Sequence, residues 1–333
     1  MKNETDTRVK NILTDYALDQ VIALFVQHLR GAGRVDETIS GYLARFRRFM
    51  SHPGFAGSVS ISQFTAEDID HWAASLHQEV KDRSITLTTC ADYIQSVKTL
   101  FKFAFVRGYI QADPTASLPR PKLHHSSRNR VMSHQDLFRL LDRAWIKAQG
   151  GGSIRDLAIL SLMADTGLRR KEMVMLTIGN LNLEQSEIYV EHTKNNNPFT
   201  NDFTPVTGEL LATWLQERLP AEHDYLFTIV DCPANQRRNN KQPGDPLHPD
   251  AINSLMRRLA KVAGVKGRSN PHALRHLVGQ WFTDRLGNLE IVRQKLNHRS
   301  VYTTARFYAN QDRTRVKAAT QLHGLMNGYR REE

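Results

Sequence analysis

Near the end of the chain, one stretch gathers His272, Arg275, His298 and Tyr308. Arg275 follows His272 by three residues, and Tyr308 follows His298 by ten. An arginine offers a planar, two-pronged donor that matches an anionic phosphate. A histidine can carry a proton, and a phenol can serve as an oxygen nucleophile. The set resembles neither a metal site nor an acyl-transfer triad; it suits a phosphate that is clamped and attacked. The competing reading is a helix with a solvated polar edge, an ordinary turn and an exposed tyrosine.

Positioning these groups is a matter for the surrounding elements. Leu274, Leu277, Val278, Trp281 and Phe282 recur at helical spacing, so residues 271 to 286 are expected to form an amphipathic helix. Pro271 suits its first turn. On that helix His272 and Arg275 project to the same side, beside the apolar stripe. His272 and His276 stand four apart, a spacing that zinc can use, but the glutamate of His-Glu-x-x-His is missing.

His-x-x-Arg, a later histidine and then a tyrosine in a Thr-Thr-rich turn resemble the tyrosine recombinases, or phage integrases. The resemblance implies a second arginine upstream in a Thr-Gly-Leu-Arg-x-x-Glu box. Thr166-Gly167-Leu168-Arg169-Arg170-Lys171-Glu172 supplies it. It also implies a lysine on a β-hairpin between the two boxes, and Lys194 is the only lysine between Lys171 and Lys241. The motifs run in family order from about residue 130 to 310. Two departures stand out: Asn297 occupies a position where many relatives have glycine, and the turn around Lys194 is longer than the family's Gly-Lys-Gly hairpin.

Carried over residue by residue, the resemblance implies that Arg169, Arg275 and His298 hold the phosphate. Tyr308 is then the nucleophile that forms a 3′-phosphotyrosine, His272 helps remove its proton, and Lys194 is the general acid. It implies double-stranded DNA as partner, a dimer on each site and a homo-tetramer on paired sites. With two arginines neutralising charge, no metal and no cofactor are expected. A type IB topoisomerase would use the same groups. A catalytically silent DNA-binding module and a scaffold protein are readings of other classes, and only an enzyme would trap covalently on DNA.

Bulk composition agrees with such a partner without specifying it. The 333 residues carry 45 Lys and Arg against 34 Asp and Glu, a formal charge of +11 that suits a polyanion. Cys90 and Cys232 lie far apart without metal-ligand spacing and are expected to be reduced thiols of a cytoplasmic protein. No apolar run approaches a membrane span, and the opening stretch is polar, without the apolar core of a secretory signal.

The expected fold is mainly α with a small β-sheet (α+β). Residues 1–14 read as a tail and residues 15–110 as a compact four-helix bundle, which the resemblance implies is a SAM-like core-binding domain. Within it Asp36 or Thr38 is expected to cap the second helix, Thr65 to start the third, and the fourth to run from about 86 to 107. Residues 111–130 form a basic, proline-bearing linker, which the resemblance places beside DNA. The resemblance implies a catalytic domain over 131–312. There Ser133 is expected to cap a helix through Ala144, residues 154 to 165 to form a buried helix, and Glu172 to lead a short one. Ile188-Tyr189-Val190 and Phe203-Thr204-Pro205-Val206 read as two strands, followed by a helix from Thr207 or Glu209. Residues 313–333 carry a short apolar-faced helix that docks on its own domain or, as the resemblance suggests, on a neighbouring protomer.

Overall fold

Aromatic residues at helical spacing build the first part of the molecule. In the computed structural model, which describes residues 16–55, 60–119, 121, 132–193, 197–230 and 242–308 (without the side chains of 303 and 306–308), the chain divides into two compact units. These are Met1–His125 and Ser126–Glu333. The first unit holds α1 (Leu18–Gly31), α2 (Asp36–Met50), α3 (Ala66–Lys81) and α4 (Leu87–Val106). Phe49 is fully buried at its centre and meets Phe55, Phe64, Trp72 and Phe101 at ring separations of 4.9, 5.4, 4.9 and 6.0 Å.

The helix starts follow local capping chemistry where a cap exists. Thr65 Oγ1 accepts from Asp68 N while Asp68 Oδ2 accepts from Thr65 N, a reciprocal capping box at α3. Thr86 caps α4 through Thr89 N. At α2 the expectation fails: Val35 takes the cap position without a side-chain bond, and Asp36 and Glu37 sit in the first turn. Their carboxylates there favour the positive end of the helix dipole. The stretch after α4 is held firmly at first. Ile110 and Leu118 join the core, and Lys98 Nζ donates to the carbonyls of Thr115 and Leu118 at 2.6 and 2.7 Å. Most of the basic part of the expected linker lies outside the described residues.

In the second unit, α5 (His134–Gln149) and α6 (Arg155–Thr166) precede α7 (Arg170–Val174). Ser133 caps α5 as expected, accepting from Asp136 N at 3.0 Å, and the helix continues past Ala144. Six apolar residues of α6, Leu157, Ala158, Ile159, Leu160, Leu162 and Met163, are buried, so this helix is the axis of the core. α7 begins at Arg170, two residues before Glu172.

Three antiparallel strands follow: β1 (Leu181–Asn182), β2 (Glu187–Val190) and β3 (Phe199–Asp202), in that spatial order. Tyr189 pairs with Thr200 and Val190 with Phe199. The expected second strand at Phe203-Thr204-Pro205-Val206 is therefore displaced. Its residues cap and open α8 (Pro205–Glu217), with Thr204 as cap and Pro205 at the first helical position. A proline lacks the N–H a ladder needs, but at a helix start that hydrogen has no partner anyway. β1 was not expected at all.

The unit closes with α9 (Pro249–Val262), α10 (Pro271–Leu286), α11 (Leu289–Lys295) and α12 (Val301–Tyr308). α10 is amphipathic only in its second half. Pro271, Ala273, Leu274, Arg275, His276, Leu277, Val278 and Gly279 are all buried, so its charged residue Arg275 points into protein. The expected Thr-Thr-rich turn before Tyr308 is the helix α12. Among the described residues no helix is long and apolar enough to cross a membrane. Cys90 is a buried free thiol whose pKa burial pushes up; Cys232, Lys194 and residues 313–333 lie outside the described residues.

Candidate active site

A tight backbone turn at Gly167 is the first element of the site. α6 ends there with φ 64° and ψ 20°, the left-handed region that glycine enters without a Cβ penalty. Space forbids a side chain as well: a Cβ would lie 2.7 Å from Leu296 Cδ2 and 3.3 Å from Val278 Cγ1. Gly167→Ala should therefore destabilise the second unit by about 2–4 kcal/mol, combining left-handed strain with overpacking. Urea unfolding measures it; a loss under ~1 kcal/mol would show that Leu296 swings aside at little cost.

Directly after this turn, Arg169 donates its backbone N–H to Glu172 Oε2 at 2.8 Å and Nη1 to Glu172 Oε1 at 2.6 Å. Glu172 is 2% exposed. Its Oε2 also lies 4.0 Å from Nη1 of Arg275, which comes from α10. One buried carboxylate thus stands between two guanidinium groups. Arg275 is anchored further: Nη1 donates to Gly167 O at 2.7 Å, and Nη2 donates to Leu296 O. The two carbonyls hold its fork in one orientation and join the glycine turn to α10 and the end of α11.

His298 sits in the turn between α11 and α12, 8% exposed, with Nδ1 3.0 Å from the hydroxyl of fully buried Thr304. Burial, then the charges of Arg275 and Arg169, push its pKa down to about 3, so the ring is neutral near pH 7. Arg293 Nη1 donates to the His298 carbonyl at 3.1 Å. His272, exposed on the first turn of α10, meets His276 with Nε2 to Nε2 at 3.0 Å.

The sheet is tied to the same place. Asn201 Nδ2 on β3 donates to Thr166 O at 3.1 Å and to Lys295 O at 2.9 Å. Lys295 Nζ returns a bond to Asp202 O at 2.7 Å. Asn297 adopts φ 44°, which explains a residue at a position where glycine would also serve. The side chain adds what glycine lacks: Nδ2 donates to Asn197 O at 2.9 Å, and Oδ1 accepts from Asn197 Nδ2 at 3.3 Å.

Two fixed guanidiniums and a neutral imidazole lie close together here, and such groups are chemically suited to donate to an anionic oxygen pair. Residues 130–315 match the model of the phage integrase family. The chain belongs to that family. It is a tyrosine recombinase, an enzyme of site-specific DNA recombination by strand cleavage and rejoining. The tyrosine recombinase XerC of Shewanella amazonensis is 27% identical over 254 residues, covering 74% of this chain and 77% of its own. In structure the chain resembles a lambda integrase dimer bound to a COC′ core site, with a TM-score of 0.69, 14% identity and coverage of 94% and 83%. It also resembles a lambda integrase tetramer bound to a Holliday junction, with a TM-score of 0.67, 15% identity and coverage of 89% and 78%.

Of the residues expected in the recombinase site, Arg169, Arg275 and His298 lie in the cluster just described, and His272 lies one turn before His276 on α10. Tyr308 ends α12, with its side chain outside the described residues, and Lys194 is outside them altogether. Glu172 as the carboxylate between both arginines, Thr304 beneath His298 and the Asn197–Asn297 pair were not anticipated. The Arg-x-x-Glu spacing was the available signal for the first, since residues three apart on a helix start can meet. Nothing local signals the other two.

Proposed function

We propose that this recombinase cuts double-stranded DNA with Tyr308, clamping the scissile phosphate with Arg169, Arg275 and His298. The arrangement of Arg169 and Arg275 about buried Glu172 carries the reading, because it presents two donors fixed before substrate arrives. Tyr308 Oη attacks phosphorus, and His272 accepts the phenol proton, which has a reference pKa of ~10 and needs a base near neutrality. The bond to the 5′ oxygen breaks as Lys194 gives that oxygen a proton. The products are a 3′-phosphotyrosine and a 5′-hydroxyl, and the reverse steps rejoin the strand without a metal or nucleotide cofactor.

One active site opens one strand, so exchange between two duplexes takes four protomers. We assign a dimer to each site and a homo-tetramer to the paired sites, a reading supported by the likeness to the lambda integrase tetramer. The first unit serves as the core-binding domain, and residues 313–333 couple neighbouring protomers. The enzyme acts in the cytoplasm, where its DNA lies.

A nicked suicide substrate tests the chemistry. The wild-type protein should accumulate a covalent DNA adduct, and should do so in excess chelator. Lys194→Ala should lose cleavage on ordinary DNA and recover much of it on a substrate with a 5′-bridging sulfur, since a thiolate departs without a proton. Absence of any adduct would leave a silent DNA-binding module. Absence of sulfur rescue would remove Lys194 from the acid role.

A further inference from the structure

One contact beside the site comes from a residue without a role so far. Nε2 of His276 lies 3.0 Å from Nε2 of His272, with the rings 4.4 Å apart and inclined by 75°. The pair stands at i and i+4 on α10, where side chains overlie one another. His276 is 5% exposed, while His272 is exposed. Two neutral imidazoles can share such a contact only if one nitrogen carries a hydrogen and the other a lone pair.

The two assignments differ in consequence. If His276 donates, the lone pair on His272 Nε2 is occupied and His272 Nδ1 carries the hydrogen, so neutral His272 offers no basic nitrogen. If His272 donates, its Nδ1 keeps its lone pair for a proton. We propose that His276 is a positioning residue that accepts from His272 Nε2–H and so keeps Nδ1 of His272 basic. When the Tyr308 O–H proton passes to Nδ1, His272 carries a hydrogen on both nitrogens and one positive charge. Its Nε2–H still donates to neutral His276, which steadies the cation. A buried partner does this for the catalytic histidine of serine hydrolases, although there the partner is a carboxylate. The inference rests on the proposed role of His272 as proton acceptor.

The test uses the full-length protein. ¹⁵N shifts of the imidazoles, at a pH where both rings are neutral, report the tautomer of His272. His276→Phe keeps a ring but removes the acceptor; His276→Gln keeps an acceptor oxygen. Covalent-adduct rate on suicide DNA and half-site affinity are measured for both. His272 should be the Nε2–H tautomer, and His276→Phe should cleave at least roughly tenfold more slowly with unchanged affinity. Loss of the whole general base would cost ~10²–10⁴, which sets the upper limit. His276→Gln should recover most of the rate. An Nδ1–H tautomer in the wild type, a His276→Phe rate equal to wild type, or a Gln variant no better than Phe would each overturn the inference. Should His276→Phe fail to fold, the wild-type tautomer and a near-wild-type Gln variant decide. His272→Ala separates the two layers. Wild-type cleavage by that variant removes the proton-acceptor role itself, whereas slow cleavage beside a fully active His276→Phe removes only the part assigned to His276.

Discussion

Tyr308→Phe should abolish the covalent protein–DNA adduct and leave DNA affinity near wild type. The substitution removes one oxygen and almost no volume. On the proposed reading no neighbouring group replaces a phenol as nucleophile: the guanidiniums of Arg169 and Arg275 are held as donors, and His298 is a neutral, buried ring assigned to the phosphate. The rival phenol is Tyr302, on the first turn of the same helix and 77% exposed. Tyr302→Phe should cleave like the wild type. Trapping both variants on suicide DNA, with half-site binding measured alongside, checks the register. An adduct that survives in Tyr308→Phe and disappears in Tyr302→Phe would sink it.

The second large effect separates two arginines that do similar chemistry on different footings. Arg169→Ala and Arg275→Ala should each slow cleavage by several powers of ten, since removal of even one preorganised donor costs ~10²–10³. Their effects on folding should diverge. The Arg169 side chain is 29% exposed, and its loss leaves Glu172 still facing Arg275. Arg275 is 4% exposed, and its loss strands the carbonyls of Gly167 and Leu296 in the core. Breaking such a buried charged network typically costs about 3–5 kcal/mol. Urea unfolding should therefore show a large loss for Arg275→Ala and a small one for Arg169→Ala. Arg275→Lys should not restore either property, because one ammonium cannot span both carbonyls with a planar fork. Equal stability of the two alanine variants would show that the carbonyl anchors contribute little.

The features legible in the chain are those that neighbouring residues decide among themselves. Thr65, Thr86 and Ser133 cap helices because a hydroxyl reaches a backbone N–H three residues on, whatever the fold. Gly167 marks a left-handed helix end for the same local reason. Spacing also marked Arg169, His272, Arg275, His298 and Tyr308, once their order was compared with a family pattern. The misplaced strand shows the limit of that reasoning. Phe203 and Val206 favour strand, but Thr204 N and Oγ1 both donate to Asp165 Oδ2 on α6, and Pro205 then starts α8.

Tertiary structure alone decided what the marked residues meet. Sequence spacing cannot bring Arg275 to the carbonyl of Gly167, nor Asn197 to Asn297, since only packing closes loops of that length. It cannot say that Arg275 turns inward, because a helix wheel assigns a face but not the partner that makes burial of a charge tolerable. Nor can it set the charge of His298. That ring stays neutral because distant parts of the chain exclude water from it and bring Arg275 and Arg169 near, and desolvation and Coulomb energy depend on distance in space rather than along the chain.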